Sequence, residues 1–322
     1  MYLGRRDFVR MSTALCAANA FSLKSDVVRA QEVSQAILPW SHGIPPIFCT
    51  AYIDPGIESQ KGQEQTVAKY PLALVPQDGR RHFVQWRDDV RSINPDIMLL
   101  GYQMVIEETT VPGPGHDVMR GLADSWVEYP GGYQPTVKMS ATKIRRIFDP
   151  RHKEWGPAFL DACEATLNSY SYDGLFFDQC TIFGIASLSS STREEMLGAL
   201  REVIVELRRR HPKKLFVGNS AYSFSGLSGE LNENLESDLS KNSEYMDSHS
   251  KPEFNLYQFY TQDISDNQVI KEKLNLALMH KRFFGVAANY QKVEWYDFFD
   301  DLVEIYKKKT SKPSSPNLWR GT

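Results

Sequence analysis

Nothing in the 322-residue sequence has the spacing of a metal or redox site: its four cysteines and seven histidines contain no Cys-x-x-Cys, His-x-His or His-Glu-x-x-His. Zinc sites and thiol redox centres normally announce themselves by such spacings, so the reading is of a protein with no metal and no cofactor. A metal-dependent hydrolase built on Asp178 with His249 or His280 stays a minor alternative. Cysteine is also too scarce for a disulfide framework. Cys16 lies in the N-terminal segment, and Cys49, Cys163 and Cys180 are an odd number that cannot pair completely. Cys180, two residues beyond Asp178, is placed where it can line a site.

Charge of one sign is lacking too. The formal net charge is -3, so no basic face recommends nucleic acid as a partner. The one dense basic run, Arg208-Arg209-Arg210-His211 with Lys213 and Lys214, follows a helical segment, where cations suit the negative end of the macrodipole. No apolar stretch is long enough to span a bilayer, and no internal repeat or low-complexity segment appears. With 42% hydrophobic and 24% charged residues, the chain has the apolar content to bury a sizeable core.

What is present begins at the N-terminus. Arg5-Arg6-Asp7-Phe8-Val9-Arg10 precedes a mildly apolar stretch from Met11 to Leu23, and Val28-Arg29-Ala30 offers small residues for cleavage before Gln31. That is the layout of a twin-arginine export signal over residues 1–30, with Gly4 where Ser or Thr usually stands. It implies the twin-arginine translocation machinery as a partner and a periplasmic or extracellular bacterial location. Residues 31–311 are expected to form one domain, and residues 312–322, rich in Pro and Ser, a loose tail.

From Pro45 onward short apolar runs alternate with longer segments of helical period, the pattern of βα units around a parallel sheet. Eight strands are expected: Leu72 to Val75, Ile97 to Tyr102, Arg145 to Asp149, Asp173 to Asp178, Leu215 to Asn219, Glu230 to Leu235, Phe254 to Tyr260 and Phe283 to Ala288, with Ile47 to Ile53 as an extra strand or lead-in. Helices are expected over Arg81 to Ile93, Lys153 to Ser169, Ser191 to Arg210, Asn267 to His280 and Val293 to Lys309. The resulting fold class is an α/β (β/α)₈ TIM barrel, a fold that typically takes about 250 residues. Two long loops, Val111 to Met139 and Asn234 to Lys251, follow strands and so belong on the C-terminal rim, where barrel active sites are built.

Candidate chemistry concentrates on carboxylates at that rim. Asp173-Gly174-Leu175-Phe176-Phe177-Asp178 sets an acid directly after a buried strand, where a charge is costly unless solvated, paired or used. Asp173 and Gly174 form the turn into the strand and Asp178 leaves it toward the rim; an Asp capping the next turn is the plainer explanation. The segment Glu230-Leu231-Asn232-Glu233-Asn234-Leu235-Glu236 supplies a partner, and strand period alone does not say which set points inward. Glu233 is the first choice, then Glu236, then Glu230. Asn219 in Gly218-Asn219-Ser220 suits a sugar hydroxyl, a carboxylate or simply a turn. Two converging carboxylates are what glycosidic cleavage needs, one as nucleophile or base and one as acid.

Aromatic residues fall on the same expected rim: Trp126, Tyr129, Tyr133, Phe183, Tyr222, Phe224, Tyr260, Tyr290 and Trp295. Rings with a polar edge suit sugar faces as well as loop packing. The substrate-binding set read from the sequence is Asn219, Tyr102, Tyr222, Tyr260, Trp126 and Glu236.

The ordered series Ala68-Lys69-Tyr70-Pro71-Leu72-Ala73-Leu74-Val75, Asn94-Pro95-Asp96-Ile97-Met98-Leu99-Leu100-Gly101-Tyr102, Phe148-Asp149-Pro150, Asp173-Gly174 to Asp178, and Asn219 resembles glycoside-hydrolase-like family 15. That family is related in pattern to the family 114 endo-α-1,4-polygalactosaminidases. The resemblance implies a TIM barrel whose strand-four Asp is the nucleophile and whose strand-six Glu is the acid/base, roles that fall on Asp178 and Glu233. It departs at Gln103-Met104-Val105-Ile106-Glu107-Glu108, which replaces a glycine-rich turn, and at the insertion from Val111. The function expected is retaining hydrolysis of an α-glycosidic bond in an extracytoplasmic polysaccharide or glycoconjugate. The alternative is a non-catalytic carbohydrate-binding or polysaccharide-assembly protein on the same scaffold, which prevails if no Glu from strand six or seven reaches Asp178.

Overall fold

A computed structural model describes residues 44–106, 114–119, 126–128, 146–180, 189–220, 224–233, 235–236, 254–261, 263, 265–287 and 292–310. The export-signal reading of residues 1–30 and the tail at 312–322 lie outside the described residues, as do most of the two rim loops.

Eight parallel strands form one sheet: β1 (Cys49–Thr50), β2 (Leu72–Val75), β3 (Met98–Met104), β6 (Gly174–Asp178), β7 (Leu215–Asn219), β8 (Gly229–Asn232), β9 (Leu256–Tyr260) and β10 (Phe283–Ala287), neighbours in that order. Ile47 bridges Phe284 in parallel, which brings the last strand back to the first and closes the ring. The expected (β/α)₈ barrel is therefore the fold.

Its strand list needs one exchange. The segment at Ile47 to Ile53, expected as an extra strand or lead-in, contains the first barrel strand, since Cys49 and Thr50 pair with Ala73 and Leu74. The segment expected at Arg145 to Asp149 is not in the barrel. There β5 (Arg146–Phe148) pairs antiparallel with β4 (Trp126–Glu128) in a separate two-stranded ribbon, and β3 pairs directly with β6. One strand is gained and one lost, so Asp178 still ends the fourth barrel strand and Asn219 the fifth.

Each barrel strand is buried on both faces, which explains the continuous apolar runs at Leu72–Val75 and Leu175–Phe177. The inward face is a compact cluster of Phe48, Leu72, Leu74, Leu100, Phe176, Leu215, Val217, Leu231, Phe254, Leu256 and Phe283. The outward face, with Val75, Leu99, Leu175, Phe177, Phe216 and Phe284, packs against the helices in a second, larger cluster. Two glycines mark where strands meet most closely. A Cβ on Gly174 would lie 1.9 Å from the Leu215 carbonyl oxygen, and one on Gly229 would lie 1.6 Å from that of Phe254.

The helices are α1 (Glu64–Val67), α2 (Arg81–Ile93), α3 (Pro114–Met119), α4 (Trp155–Tyr170), α5 (Ser190–Arg210), α6 (Asn267–Met279) and α7 (Asp297–Thr310). Phe83, Trp86 and Val90 of α2 recur at helical spacing and are buried, Trp86 and Val90 within the outer cluster that holds Val75 and Leu99 of the strands. α5 starts one residue ahead of the expected Ser191, with Ser189 as its N-cap: the Ser189 hydroxyl accepts from the Thr192 amide, satisfying one of the orphan donors of the first turn. The basic run at its end is structural. Arg208 donates to the carbonyls of Gly226 and Lys214, while Arg209 and Arg210 pair with Glu206.

Candidate active site

Side chains alternate along a strand, so residues two apart share a face. Leu100, Phe176, Val217, Leu231 and Leu256 belong to the inward cluster. Continuing those rows toward the strands' C-terminal ends brings Tyr102, Asp178, Asn219, Glu233 and Tyr260 to the same inward face, at the mouth of the barrel. The structure thus brings together five residues that the sequence offered one strand at a time.

Asp178 is held by three donors. Tyr102 Oη lies 2.6 Å from its Oδ2, while Asn219 Nδ2 at 2.9 Å and the Gln179 amide at 2.8 Å donate to its Oδ1. Glu233 Oε1 accepts from Tyr260 Oη at 2.9 Å and from Asn219 Nδ2 at 3.3 Å. The Asn219 amide nitrogen therefore touches both carboxylates. Their facing oxygens are no further apart than those two bonds laid end to end.

Burial raises the Glu233 carboxyl above its ordinary value and the nearby Asp178 charge raises it further, against the lowering effect of the Tyr260 and Asn219 hydrogen bonds. Glu233, raised by burial, and Asp178, which takes three hydrogen bonds, thus sit in unlike surroundings, and unlike surroundings are what separate the roles of paired acids.

The backbone at the mouth is strained. Gln179 (φ 62°) and Ser220 (φ 52°), the residues directly after Asp178 and Asn219, both adopt the left-handed conformation without being glycine. Each costs on the order of 1 kcal/mol or more, and such residues cluster where geometry serves function. At Asp178 the turn has a visible effect, because it points the Gln179 amide back at the carboxylate.

The other two acids of the sixth-strand segment are turned away. Glu230 faces outward and forms a fully buried pair with Arg282 at 3.0 Å. Glu236 accepts from Tyr257 Oη at 3.1 Å and pairs with Lys273 of α6 at 2.6 Å, on the outer side of the wall. Asp173 accepts from the Leu99 amide and from Arg91, both consistent with a turn entering the strand. Cys180 is fully buried, its thiol donating to the Phe177 carbonyl and pushed well above its ordinary pKa by burial, so it does not line the site as a nucleophile.

Among the aromatics, Tyr260 and Tyr102 are at the site, and Tyr52 adds a ring edge-on to Tyr102 at 5.1 Å. Tyr52 was missed; it follows Phe48 and Thr50 on the inward row, a signal obscured while that segment was read as an extra strand or lead-in. Phe224 is buried beneath Arg201, and Trp295 packs on Tyr70 and Phe299. Trp126 is placed by its backbone alone, in β4, and Tyr129, Tyr133, Phe183, Tyr222 and Tyr290 lie outside the described residues. Among the described residues no group of three His, Cys, Asp or Glu is placed to hold a metal ion, and no helix is long and apolar enough to cross a membrane.

No protein-family model matches the chain, and no curated protein matches it either. Solved structures do. The glycoside hydrolase domain of PelA from Pseudomonas aeruginosa superposes with a TM-score of 0.51 at 13% identity, over 77% of this chain and 98% of that one. The GH36 α-galactosidase AgaA A355E from Geobacillus stearothermophilus superposes with a TM-score of 0.51 at 11% identity, over 82% of this chain. An α-galactosidase from Lactobacillus brevis gives 0.50 at 10% identity, over 87% of this chain. The chain spans less than half the length of these two α-galactosidases, 42% and 43%. At such identities the likeness is one of fold alone, the (β/α)₈ barrel.

Proposed function

We propose that the protein is a retaining glycoside hydrolase in which Asp178 attacks the anomeric carbon and Glu233 protonates the departing glycosidic oxygen. The C1–O bond breaks as the Asp178 Oδ–C1 bond forms, and the proton of Glu233 goes to the leaving alcohol. Water, deprotonated by Glu233, then displaces Asp178 from the sugar. The single observation that carries this reading is the Asn219 amide shared between the two carboxylates. An amide shared by both acids keeps them near one another, which supports a retaining pair, whose carboxyl groups stand closer than those of an inverting one.

The substrate class is an α-linked polysaccharide or glycoconjugate outside the cytoplasm. Support for the α linkage comes from the resemblance to families 15 and 114, and support for the location from the Arg5-Arg6 segment with its following apolar stretch. Export by the twin-arginine machinery to the periplasm or beyond belongs to the same proposal. A non-catalytic carbohydrate-binding role would be favoured by a mouth without a glutamate near Asp178; Glu233 sharing Asn219 with it supports the enzyme instead.

The test is a panel of α-linked polysaccharides and aryl α-glycosides, with the anomeric configuration of the first product read by NMR. Retained configuration is expected, with Asp178→Asn inactive and Glu233→Gln slow on polysaccharide but partly active on aryl glycosides whose leaving group needs no proton. Full activity of Asp178→Asn, or an inverted first product, would sink the assignment.

A further inference from the structure

One polar row lies inside the barrel beneath the carboxylates. Thr50 of β1 and Gln258 of β9 are buried on the inward face, just above the apolar cluster. The Thr50 hydroxyl donates to Gln258 Oε1, Gln258 Nε2 lies 2.5 Å from Tyr260 Oη, and Tyr260 Oη lies 2.9 Å from Glu233 Oε1. β10 stands between β1 and β9 in the ring, and its residue opposite Gln258 is Gly285. A side chain there would strike the Phe48 ring, 2.6 Å from where its Cβ would sit, so the inward face of the intervening strand is covered by Phe48, two residues before Thr50 on the same row.

The order of donors matters. A glutamine amide has an acceptor end and a donor end; here Oε1 takes the Thr50 proton and Nε2 faces the Tyr260 oxygen. The amide N–H then occupies the Tyr260 oxygen. The single phenolic proton is left to point outward, at Glu233.

From this geometry we infer that Thr50 and Gln258 are positioning residues that orient the Tyr260 hydroxyl as a donor to Glu233. Their importance for turnover rests on the retaining mechanism proposed above; the orientation itself does not. Among the described residues, Glu233 faces one charged group, Asp178 on β6, one other titratable group, Tyr260 on β9, and the neutral Asn219 on β7. A donor to the carboxylate favours its ionised form, so breaking the chain below Tyr260 weakens that donor and moves Glu233 toward higher pH.

The experiment follows the Glu233 carboxyl by ¹³C NMR titration of glutamate-labelled protein, its signal identified by subtraction against Glu233→Gln. Tyr260→Phe is expected to move the midpoint upward by roughly one pH unit, the worth of one hydrogen bond to a charged group. Gln258→Leu and Thr50→Val move it the same way by less, Thr50→Ser leaves it in place, and Gln258→Leu adds nothing once Tyr260 is Phe. Each variant is checked for an unchanged fold by circular dichroism, and Thr50→Val, which keeps the shape of the side chain, stands in where Gln258→Leu does not fold. An unmoved midpoint in Thr50→Val or Gln258→Leu beside a moved one in Tyr260→Phe overturns the inference. So does an equal Gln258→Leu effect with or without the tyrosine hydroxyl. If the midpoints move as expected while no glycoside is cleaved, the reaction fails and the positioning stands; if glycosides are cleaved, the basic limb of kcat/KM moves in step.

Discussion

The amide nitrogen of Asn219 donates to Asp178 at 2.9 Å and to Glu233 at 3.3 Å, so one neutral side chain ties the two acids of the barrel mouth together. Removing it leaves each carboxylate with one donor fewer and nothing between them. Asn219→Ala is expected to lower kcat roughly 100-fold, the usual loss for one preorganised donor, with little change in thermal midpoint. Steady-state kinetics on the best substrate of the panel, beside a melting curve, checks both halves.

Glu233 carries a second consequence, in stability. Its folded-state pKa is raised, chiefly by burial, so the folded protein holds this proton more tightly than the unfolded chain does. The stabilisation is full below the ordinary glutamate value and is lost as pH rises through the raised one; above it the ionised group is a penalty. Glu233→Gln removes that penalty. The variant is expected to be more stable than the parent at neutral pH, with the difference shrinking toward pH 4, as read by urea unfolding at both pH values.

The Glu230–Arg282 pair is fully enclosed, and an uncompensated charge there has no access to water. Arg282→Met is expected to cost about 3–5 kcal/mol, while Glu230→Leu combined with Arg282→Met recovers most of it. Denaturant midpoints of the two single variants and the double decide. Independent, additive losses would show that the pair is not a coupled unit.

Gly174→Ala sets a methyl group 1.9 Å from the Leu215 carbonyl oxygen, between two adjacent strands where neither backbone can yield. A loss of about 3 kcal/mol or more is expected, seen as a fall in soluble yield and in denaturant midpoint. A variant as stable as the parent would show that β6 and β7 are further apart than described.

Much of this was legible in order of residues alone, and the reasons differ by element. Leu72–Val75 and Leu215–Asn219 were readable to the residue because a strand covered on both faces leaves an unbroken apolar run. Arg146–Phe148 has the same look, but its partner is the β4 ribbon, and pairing is a tertiary fact that period does not carry. β1 was overlooked as a full member because two residues make too short a run, its register being set by Leu74 and Phe284. Asp178 stood out because an acid ending an apolar strand is rare. Glu233 against Glu230 was a question of parity, answered only when Leu231 is seen packing among the inward residues. The Thr50–Gln258 link had no local signature at all, joining residues 208 positions apart.

Parity gives Gly229 a meaning that its distance from the mouth conceals. Glu233 is the fourth residue after it, and a slip of one position in β8 would turn Glu233 out of the barrel and swing Glu230 and Asn232 in. Gly229 opposes such a slip, because only a residue without a side chain fits where the Phe254 carbonyl, two residues ahead of β9, approaches. Any larger residue at that point has to move along the strand or push it away. A change at the floor of the barrel would then be felt as a lost acid at its top, together with a loss of stability of the kind expected for Gly174→Ala.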